Sequence, residues 1–438
     1  MIRCESVVSD RRLSRWFPIA AGLSAFVNMC PDLRGDFMLV PFIAAATCGL
    51  AVAADTHHAD ITPGAVQIIS DTEIIIDGVT YHSWDEVAQS GFYQNIGTRC
   101  NTQPSLQEVD LRGSAFDCSF SRTNVEPQYE PSNGLIRIPV VVHVIQNTSG
   151  TGFISASRVQ SQIDVLNEDF QAIAGTNGAN GNDAQIEFFL ATEDPDGNPT
   201  NGITYSTNNT WFNDGGAYYN SLAWDTNRYL NIYTNSASGN LGYVPDLPQG
   251  GIVGSNADRV VILYSTFGRN APFHPFHLGR TTTHEVGHYF GLFHTFDGGC
   301  GSTSSCSTNG DLICDTNPES SPTFGCPGSR TSCGLPAPFD NYMDYSDDIC
   351  MEQFTHDQNN RMRCTIEHYR PNLPQAGNTS CNAADIAEPF GVLDLGDVGA
   401  FVQAFTAQDP AADIAPPSGV FDLADLQAFV AAFTAGCP

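Results

Sequence analysis

Lysine is missing altogether. The 438-residue chain carries 18 basic side chains, every one an arginine, against 48 Asp and Glu, for a formal charge of −30. With so little positive charge it cannot neutralise a phosphate backbone or an anionic lipid surface, which excludes nucleic acid and acidic membranes as partners. A lysine-free acidic surface suits a salty external medium, and a biased genomic base composition produces the same text; the sequence leaves both readings open. Long apolar runs are scarce as well. The one that stands out, residues 38–54, is too short to span a bilayer comfortably. Only 15% of residues are charged, but 41% are hydrophobic, ample for packed cores, and the length calls for two or three structural units.

Cysteine is plentiful. Most of the fourteen lie between residues 300 and 350 or near the C-terminus, which implies disulfides and an oxidising compartment. Residues 1–53 read as a leader. The apolar run opened by Met38 ends in Ala51-Val52-Ala53, the small-x-small form of a signal-peptidase site, so export is expected, with Met38 the preferred start and a lipid anchor at Cys48 the weaker alternative. Residues 54–132 hold short strands at Val66–Ile69, Glu73–Ile76 and Val79–Tyr81, with Asp77-Gly78 as a hairpin turn and a small helix capped by Ser83 with Glu86. That is too little material for an independent core.

Residues 133–372 have the pattern of a larger domain. Ile136–Gln146 is rich in β-branched residues and reads as a fully buried strand, with His143 a satisfied core histidine. Ser157 with Gln160 forms a capping-box pattern ahead of an apolar stripe at Val159, Ile163, Leu166 and Phe170. Further strands are expected at Ile186–Leu190, Tyr229–Thr234 and Arg259–Ser265. Together these make an α/β (α+β) domain, a twisted mixed sheet backed by helices.

The chemistry is concentrated in His284-Glu285-Val286-Gly287-His288-Tyr289-Phe290-Gly291-Leu292-Phe293-His294. On a helix, His284 and His288 are one turn apart on one face, so two imidazoles reach one ion. Glu285 stands beside that ion as a general base for water. Gly291 breaks the helix and lets His294 swing back as a third ligand. Three nitrogens on tetrahedral Zn2+ leave one position open for water, the mark of a catalytic site. A bare H-E-x-x-H arises by chance, but the added glycine and third histidine make coincidence a poor explanation.

This longer pattern resembles the metzincin metallopeptidases. The flanks Gly279-Arg280-Thr281-Thr282-Thr283 and His294-Thr295-Phe296, with Asn341-Tyr342-Met343-Asp344-Tyr345-Ser346-Asp347-Asp348-Ile349-Cys350-Met351 downstream, are similar to the pappalysin family. The resemblance implies a twisted sheet over the active-site helix and an irregular, disulfide-linked lower half. It makes Met343 an apolar floor under the metal and Tyr345 a donor to the oxyanion. Asp348 becomes an acid lining the S1′ pocket, favouring Arg after the scissile bond; the competing reading makes Asp347 and Asp348 solvated loop acids or acids that support a calcium ion from behind its direct ligands. Leu241-Gly242-Tyr243-Val244 looks like the edge strand along which an extended peptide pairs. Gly97-Thr98-Arg99-Cys100 is similar to a prosegment element whose thiolate occupies the fourth zinc position, although Asn101 replaces its usual glycine. A Cys100–Cys118 disulfide is the alternative. Six cysteines between 300 and 350 allow fifteen pairings. The resemblance picks Cys300 with Cys333 and Cys326 with Cys350, leaving Cys306 and Cys314 as a local bridge. Gly310–Thr316 resembles a calcium-binding element, with Asp311, Asp315 and Thr316 as Ca2+ ligands, against an ordinary acidic loop.

Arg361-Met362-Arg363-Cys364 looks like the closing helix of this domain, and residues 373–380 form a polar linker. In residues 381–438 the text from Asp385 returns 28 residues later from Asp413, each copy followed by an Ala-Phe-Val helix. This small α-helical repeat resembles dockerin modules, which implies a cohesin-like partner. The match departs from a calcium loop: Ala387 and Pro389 stand where ligands belong, and Gly391 comes one place late. Asp385, Asp394, Asp397, Asp413, Asp422 and Asp425 therefore bind calcium weakly, or the helices simply pack, stapled by Cys381 with Cys437. The whole reads as a secreted, monomeric zinc endopeptidase acting on proteins or peptides. A catalytically silent cell-surface or complex-anchored binding protein is the alternative, which the intact Glu285 and ligands disfavour.

Overall fold

The computed structural model describes residues 66–102, 104, 127–301, 306, 309–375, 382–387, 393, 395–416 and 419–436. The leader, Cys118, Asp394, Pro389, Gly391 and the Cys381–Cys437 staple lie outside the described residues.

Three short antiparallel strands open the described chain: β1 (Val66–Ser70), β2 (Glu73–Ile76) and β3 (Val79–Tyr81). Asp77 (φ 52°) and Gly78 (φ 79°) supply the two positive φ angles of a tight hairpin turn. Ser83 caps the helix Trp84–Gln89 by accepting from the Glu86 N–H at 3.1 Å, while Glu86 Oε2 accepts from the His82 N–H. This unit has no core of its own. Ile68, Ile74, Ile76, Trp84, Val87 and Tyr93 join the large core of the following domain, Trp84 stacking on Phe273 with ring centroids 4.7 Å apart.

That core surrounds a six-stranded sheet. β4 (Ile136–Gln146) lies in its middle, with β7 (Leu230–Asn235) on one side and β5 (Ile186–Leu190) then β6 (Ile203–Thr207) on the other. The path continues through β9 (Val260–Leu263) to the edge strand β8 (Gly242–Tyr243), which alone runs antiparallel. Strands β4, β7 and β9 are buried on both faces, as helix-covered parallel strands must be, which explains the β-branched text of β4 and β9. His143 is satisfied inside the sheet by Thr204 Oγ1 (2.7 Å) and Asn231 Oδ1 (3.0 Å). β6 was not expected; its Ile-Thr-Tyr-Ser-Thr text is half exposed and is held by pairing with Val142–Gln146.

The helix Ala156–Phe170 backs the sheet and buries Val159, Ile163, Leu166 and Phe170. Its cap is Ser155, not Ser157: Ser155 has the extended backbone a cap needs and accepts from the Arg158 N–H. Under the sheet lies the active-site helix Arg280–Tyr289, buried along its whole length. Its Arg280 pairs with Asp169 of the backing helix at 2.9 Å, and the Thr283 hydroxyl donates to the other Asp169 oxygen at 2.6 Å. Both charges are out of water, so each depends on the other to avoid a large desolvation cost.

Beyond this helix, up to Thr355, regular structure among the described residues is limited to the antiparallel pair Thr331–Ser332 with Leu335–Pro336 and a short 3-10 turn at Asp348–Cys350. Disulfides join Cys300 to Cys333, Cys306 to Cys314 and Cys326 to Cys350. A capping box of Thr355 and Gln358 then starts the helix His356–Tyr369, whose Arg363 donates to the carbonyls of Tyr129, Gly134 and Ala184. This returns the end of the domain to its beginning. Near the C-terminus the helices Leu395–Ala407 and Leu423–Ala435 stack Phe401 on Phe429, centroids 4.1 Å apart. The repeat extends to one set of polar contacts among the described residues. Asp397 Oδ1 accepts from the N–H groups of Ile386 and Ala387, and Asp425 Oδ1 from those of Ile414 and Ala415.

Candidate metal centre

The active-site helix ends where its text changes. Gly291 has φ +90°, and a side chain there would meet Gln249 and Thr365 at under 3 Å, so the turn requires glycine on both counts. The turn lets the Leu292 carbonyl accept from His288 Nδ1 at 2.7 Å, while the Tyr342 carbonyl accepts from His284 Nδ1 at 2.6 Å. With both Nδ1 atoms donating, the Nε2 atoms carry bare lone pairs. His288 Nε2 nevertheless lies 3.1 Å from His284 Nε2 and 3.0 Å from His294 Nε2. Lone pairs brought this close repel unless a cation stands among them, so these three imidazoles fit a catalytic metal. Burial and neighbouring imidazoles hold the His284 pKa well below its usual value and His288 down to about 3, which keeps both neutral, the state a ligand needs. Asp297 Oδ2 orients the third ring from 3.1 Å on His294 Nδ1.

Cys100 joins the cluster. Its Sγ and one nitrogen of each histidine all lie within 4.8 Å of one another, with Sγ 3.6 Å from His288 Nε2 and 3.5 Å from Glu285 Oε2. The thiol is free, so the alternative disulfide with Cys118 is not formed. The segment bearing it lies along the sheet edge: the Leu241 N–H donates to the Arg99 carbonyl at 3.1 Å and the Asn101 N–H to the Gly242 carbonyl at 3.2 Å, a parallel bridge. Tyr243 faces away from this segment, its hydroxyl donating to Asp214 at 2.9 Å. Glu285 packs against Gly242 so closely that any side chain at 242 would overlap it. Burial pushes its carboxyl up to about 8, against the pull of hydrogen bonds from Cys100 and Thr102.

The loop Asn341–Met351 closes the other side. Met343 is fully buried, and its carbonyl accepts from the Thr295 N–H at 3.2 Å. Tyr345 sets its hydroxyl 3.2 Å from His294 Nε2 and 3.5 Å from the Cys100 carbonyl. Asp348 lines the slot beside the centre, with Arg99, Thr281 and Met351, but its Oδ2 is engaged by the N–H groups of Leu278 (2.7 Å) and Arg280 (3.4 Å). It thus caps the active-site helix from outside, where Gly279 offers no side chain and a negative charge meets the positive end of the dipole.

The residues expected to hold calcium separate. Asp311 and Thr316 share a pocket with Thr295 and Gly310, and Asp311 Oδ2 and Thr316 Oγ1 are buried there without a hydrogen-bond partner. Burial pushes the Asp311 carboxyl up to about 7. Asp315 turns outward and accepts from the Asp357 N–H at 3.0 Å, so its side chain caps the helix His356–Tyr369 instead. Several contributors to the site carry no local signal in the sequence: Thr102, whose hydroxyl donates to Glu285; Asp297; the Asp169–Arg280 pair; and Phe276, beneath the Arg99 guanidinium.

Residues 217–367 match the family described as pregnancy-associated plasma protein-A. An extracellular metalloprotease of Colletotrichum graminicola is 36% identical over 278 residues, covering 61% of this chain and 89% of that protein. One from Sordaria macrospora is 35% identical over 293 residues, covering 64% and 90%. Among solved structures, a mutant of Tannerella forsythia promirolysin superposes with a TM-score of 0.50 at 34% identity, covering 63% of this chain and 97% of that one. With three imidazoles converging, a glutamate beside them and relatives matched over nearly their whole length, the chain belongs to the pregnancy-associated plasma protein-A, or pappalysin, family and is a metalloendopeptidase.

Proposed function

We propose that this metalloendopeptidase is a secreted zinc enzyme that cuts proteins or peptides on the amino side of arginine and is held latent by its own residues 99–102. The convergence of three Nε2 atoms beside Glu285 carries the reading. When bound by His284, His288 and His294, zinc supplies a Lewis acid that polarises the scissile carbonyl and makes a water acidic near neutral pH. Glu285 takes the proton from the attacking water and returns it to the leaving amine. Tyr345 donates its hydroxyl to the carbonyl oxygen as negative charge builds there, from the position in which it now reaches the Cys100 carbonyl. The substrate adds as a strand to Leu241 and Gly242, as residues 99–101 do in the latent chain, with Tyr243 anchoring that edge.

Asp348, with Asp344 and Asp347 nearby, makes the adjoining slot acidic and suits a guanidinium after the scissile bond. The Cys100 thiol stands where water is needed, which supports latency through thiolate ligation; a related structure is a proform by name. Residues 1–53 serve as leader, 54–132 as prosegment, 133–372 as catalytic domain and 373–380 as linker. The relatives' name supports secretion, and no described helix is long and apolar enough to cross a membrane. Calcium, held by Asp311 and Thr316, braces the lower half. The duplicated module in 381–438 acts as a dockerin-like anchor for a cohesin-like partner.

The test is Glu285→Ala in the full chain, activated and assayed on a peptide library with metal analysis. Metal content stays at the wild-type level and hydrolysis falls at least about a thousandfold, in the range of a lost catalytic base. Turnover near wild type would sink the assignment.

A further inference from the structure

The acidic slot beside the metal centre already holds a guanidinium. Arg99, only 6% exposed, enters it from the segment paired along the sheet edge, one residue from the cysteine that faces the imidazoles. Its Cζ lies 3.9 Å from the centroid of the Phe276 ring, its Nη2 donates to the Ser346 carbonyl, and the Tyr345 ring stands 6.0 Å away. Asp344, Asp347 and Asp348 surround it with negative charge. Among the described residues, however, no carboxylate forms a direct ion pair with it, and Asp348 is committed to the N–H groups of Leu278 and Arg280. The contacts that shape the slot around a flat cation are therefore a ring face and a carbonyl, while the acids contribute field.

The backbone bonds that deliver Arg99 use groups any extended chain would use at this edge. We propose that Phe276 and the Ser346 carbonyl receive the arginine side chain of a substrate beside the scissile bond, making Phe276 a specificity-determining residue of the protease. The proposal rests on the reading of the Asp348 slot as the pocket for the residue after the scissile bond. Guanidinium stacks flat on a ring and forks its donors past the edge, whereas an ammonium is a compact, strongly hydrated point charge, so the site selects Arg over Lys and not charge alone. Phe276 is held for this role by Phe273, with centroids 5.2 Å apart, and in the latent chain Tyr93 covers it from the prosegment side, at 6.2 Å.

The full chain, matured to its active form, is assayed on matched peptides carrying Arg, its neutral isostere citrulline, Lys or Leu after the scissile bond. Wild type prefers Arg to citrulline and to Lys. Phe276→Leu lowers kcat/KM for the Arg peptide about fivefold to thirtyfold, as loss of a desolvated cation–π contact requires, and changes citrulline and Leu peptides about twofold or less. Phe276→Tyr and Phe276→Trp keep the preference. Progressive fluorination of a phenylalanine at position 276 preserves its shape and reads the same contact where the leucine variant does not fold: the Arg-to-citrulline ratio falls stepwise as the ring face loses negative charge. A wild-type enzyme without preference for Arg overturns the slot reading, and the inference with it. A preference that survives Phe276→Leu, or stays flat along the fluorine series, overturns the inference alone.

Discussion

The hydroxyl of Thr102 donates to Glu285 Oε2 at 3.2 Å and accepts from the Val244 N–H at 3.0 Å, so one side chain ties the proposed base to the strand edge. Cys100 reaches the same carboxylate oxygen. The proposed latency would thus rest on two contacts with the chemistry, one on the metal side and one on the base. Replacing Cys100 with alanine leaves the second in place, and the unprocessed variant is expected to gain only part of the mature activity. Cys100→Ala with Thr102→Val frees the base too and gains about tenfold more, the worth of a hydrogen bond to a charged group. Peptide hydrolysis by the intact chain, with its length verified before and after assay, reads this. A single variant as active as the double would show that Thr102 contributes nothing.

His294→Ala removes a nitrogen that faces His288 Nε2 at 3.0 Å and is expected to lower metal stoichiometry outright. Asp297→Asn keeps the ring but weakens its hold on Nδ1, so metal affinity falls about tenfold to a hundredfold while full loading remains reachable. Chelator-competition titrations separate the two. Equal stoichiometry and affinity in wild type and His294→Ala would mean that the turn at Gly291 delivers no ligand.

Asp311 and Thr316 bury unpartnered oxygens in one pocket, which is costly unless a cation or its water fills it. Calcium at about a hundred times its dissociation constant should stabilise the fold by about 2.7 kcal/mol, raising the unfolding temperature by a few degrees. Scanning calorimetry with zinc held saturating, before and after calcium is added, measures it. Asp311→Ala should unfold at one temperature with or without calcium; a calcium-dependent shift in that variant would place the ion elsewhere.

Glu319 is fully buried with Thr295, Thr323 and Arg330, and burial, reinforced by Asp344 beside it, pushes its carboxyl up to about 7 from 4.5. A folded pKa above the unfolded one means that the folded chain binds the proton more tightly. The stability tied to that proton is whole below pH 4.5 and is lost as pH rises through 7. Glu319→Gln should therefore flatten the fall in unfolding temperature between pH 5 and 7. Parallel thermal scans decide it, and identical slopes would remove Glu319 as the cause.

The features that could be read from the text alone are those whose cause lies within a few residues. His284 and His288 share a face because of the helical period, Gly291 turns because a left-handed backbone and two close neighbours admit nothing larger, and β4 announces itself by an unbroken β-branched run. The Asp77-Gly78 hairpin is equally local. β6 escaped notice because its short polar text becomes a strand only by lying beside β4.

Partnerships between distant residues were decided by packing. In the sequence Asp315 reads as a calcium ligand and Asp348 as a pocket acid, and the fold sets both at helix starts, where unpaired N–H groups donate to a carboxylate. Nothing in the text near Thr102 or Phe276 points to Glu285 or Arg99. An acid, a hydroxyl or a ring has the same local signature whatever it will face, and its partner is selected by which segments the sheet and the helix beneath it bring within a few ångströms.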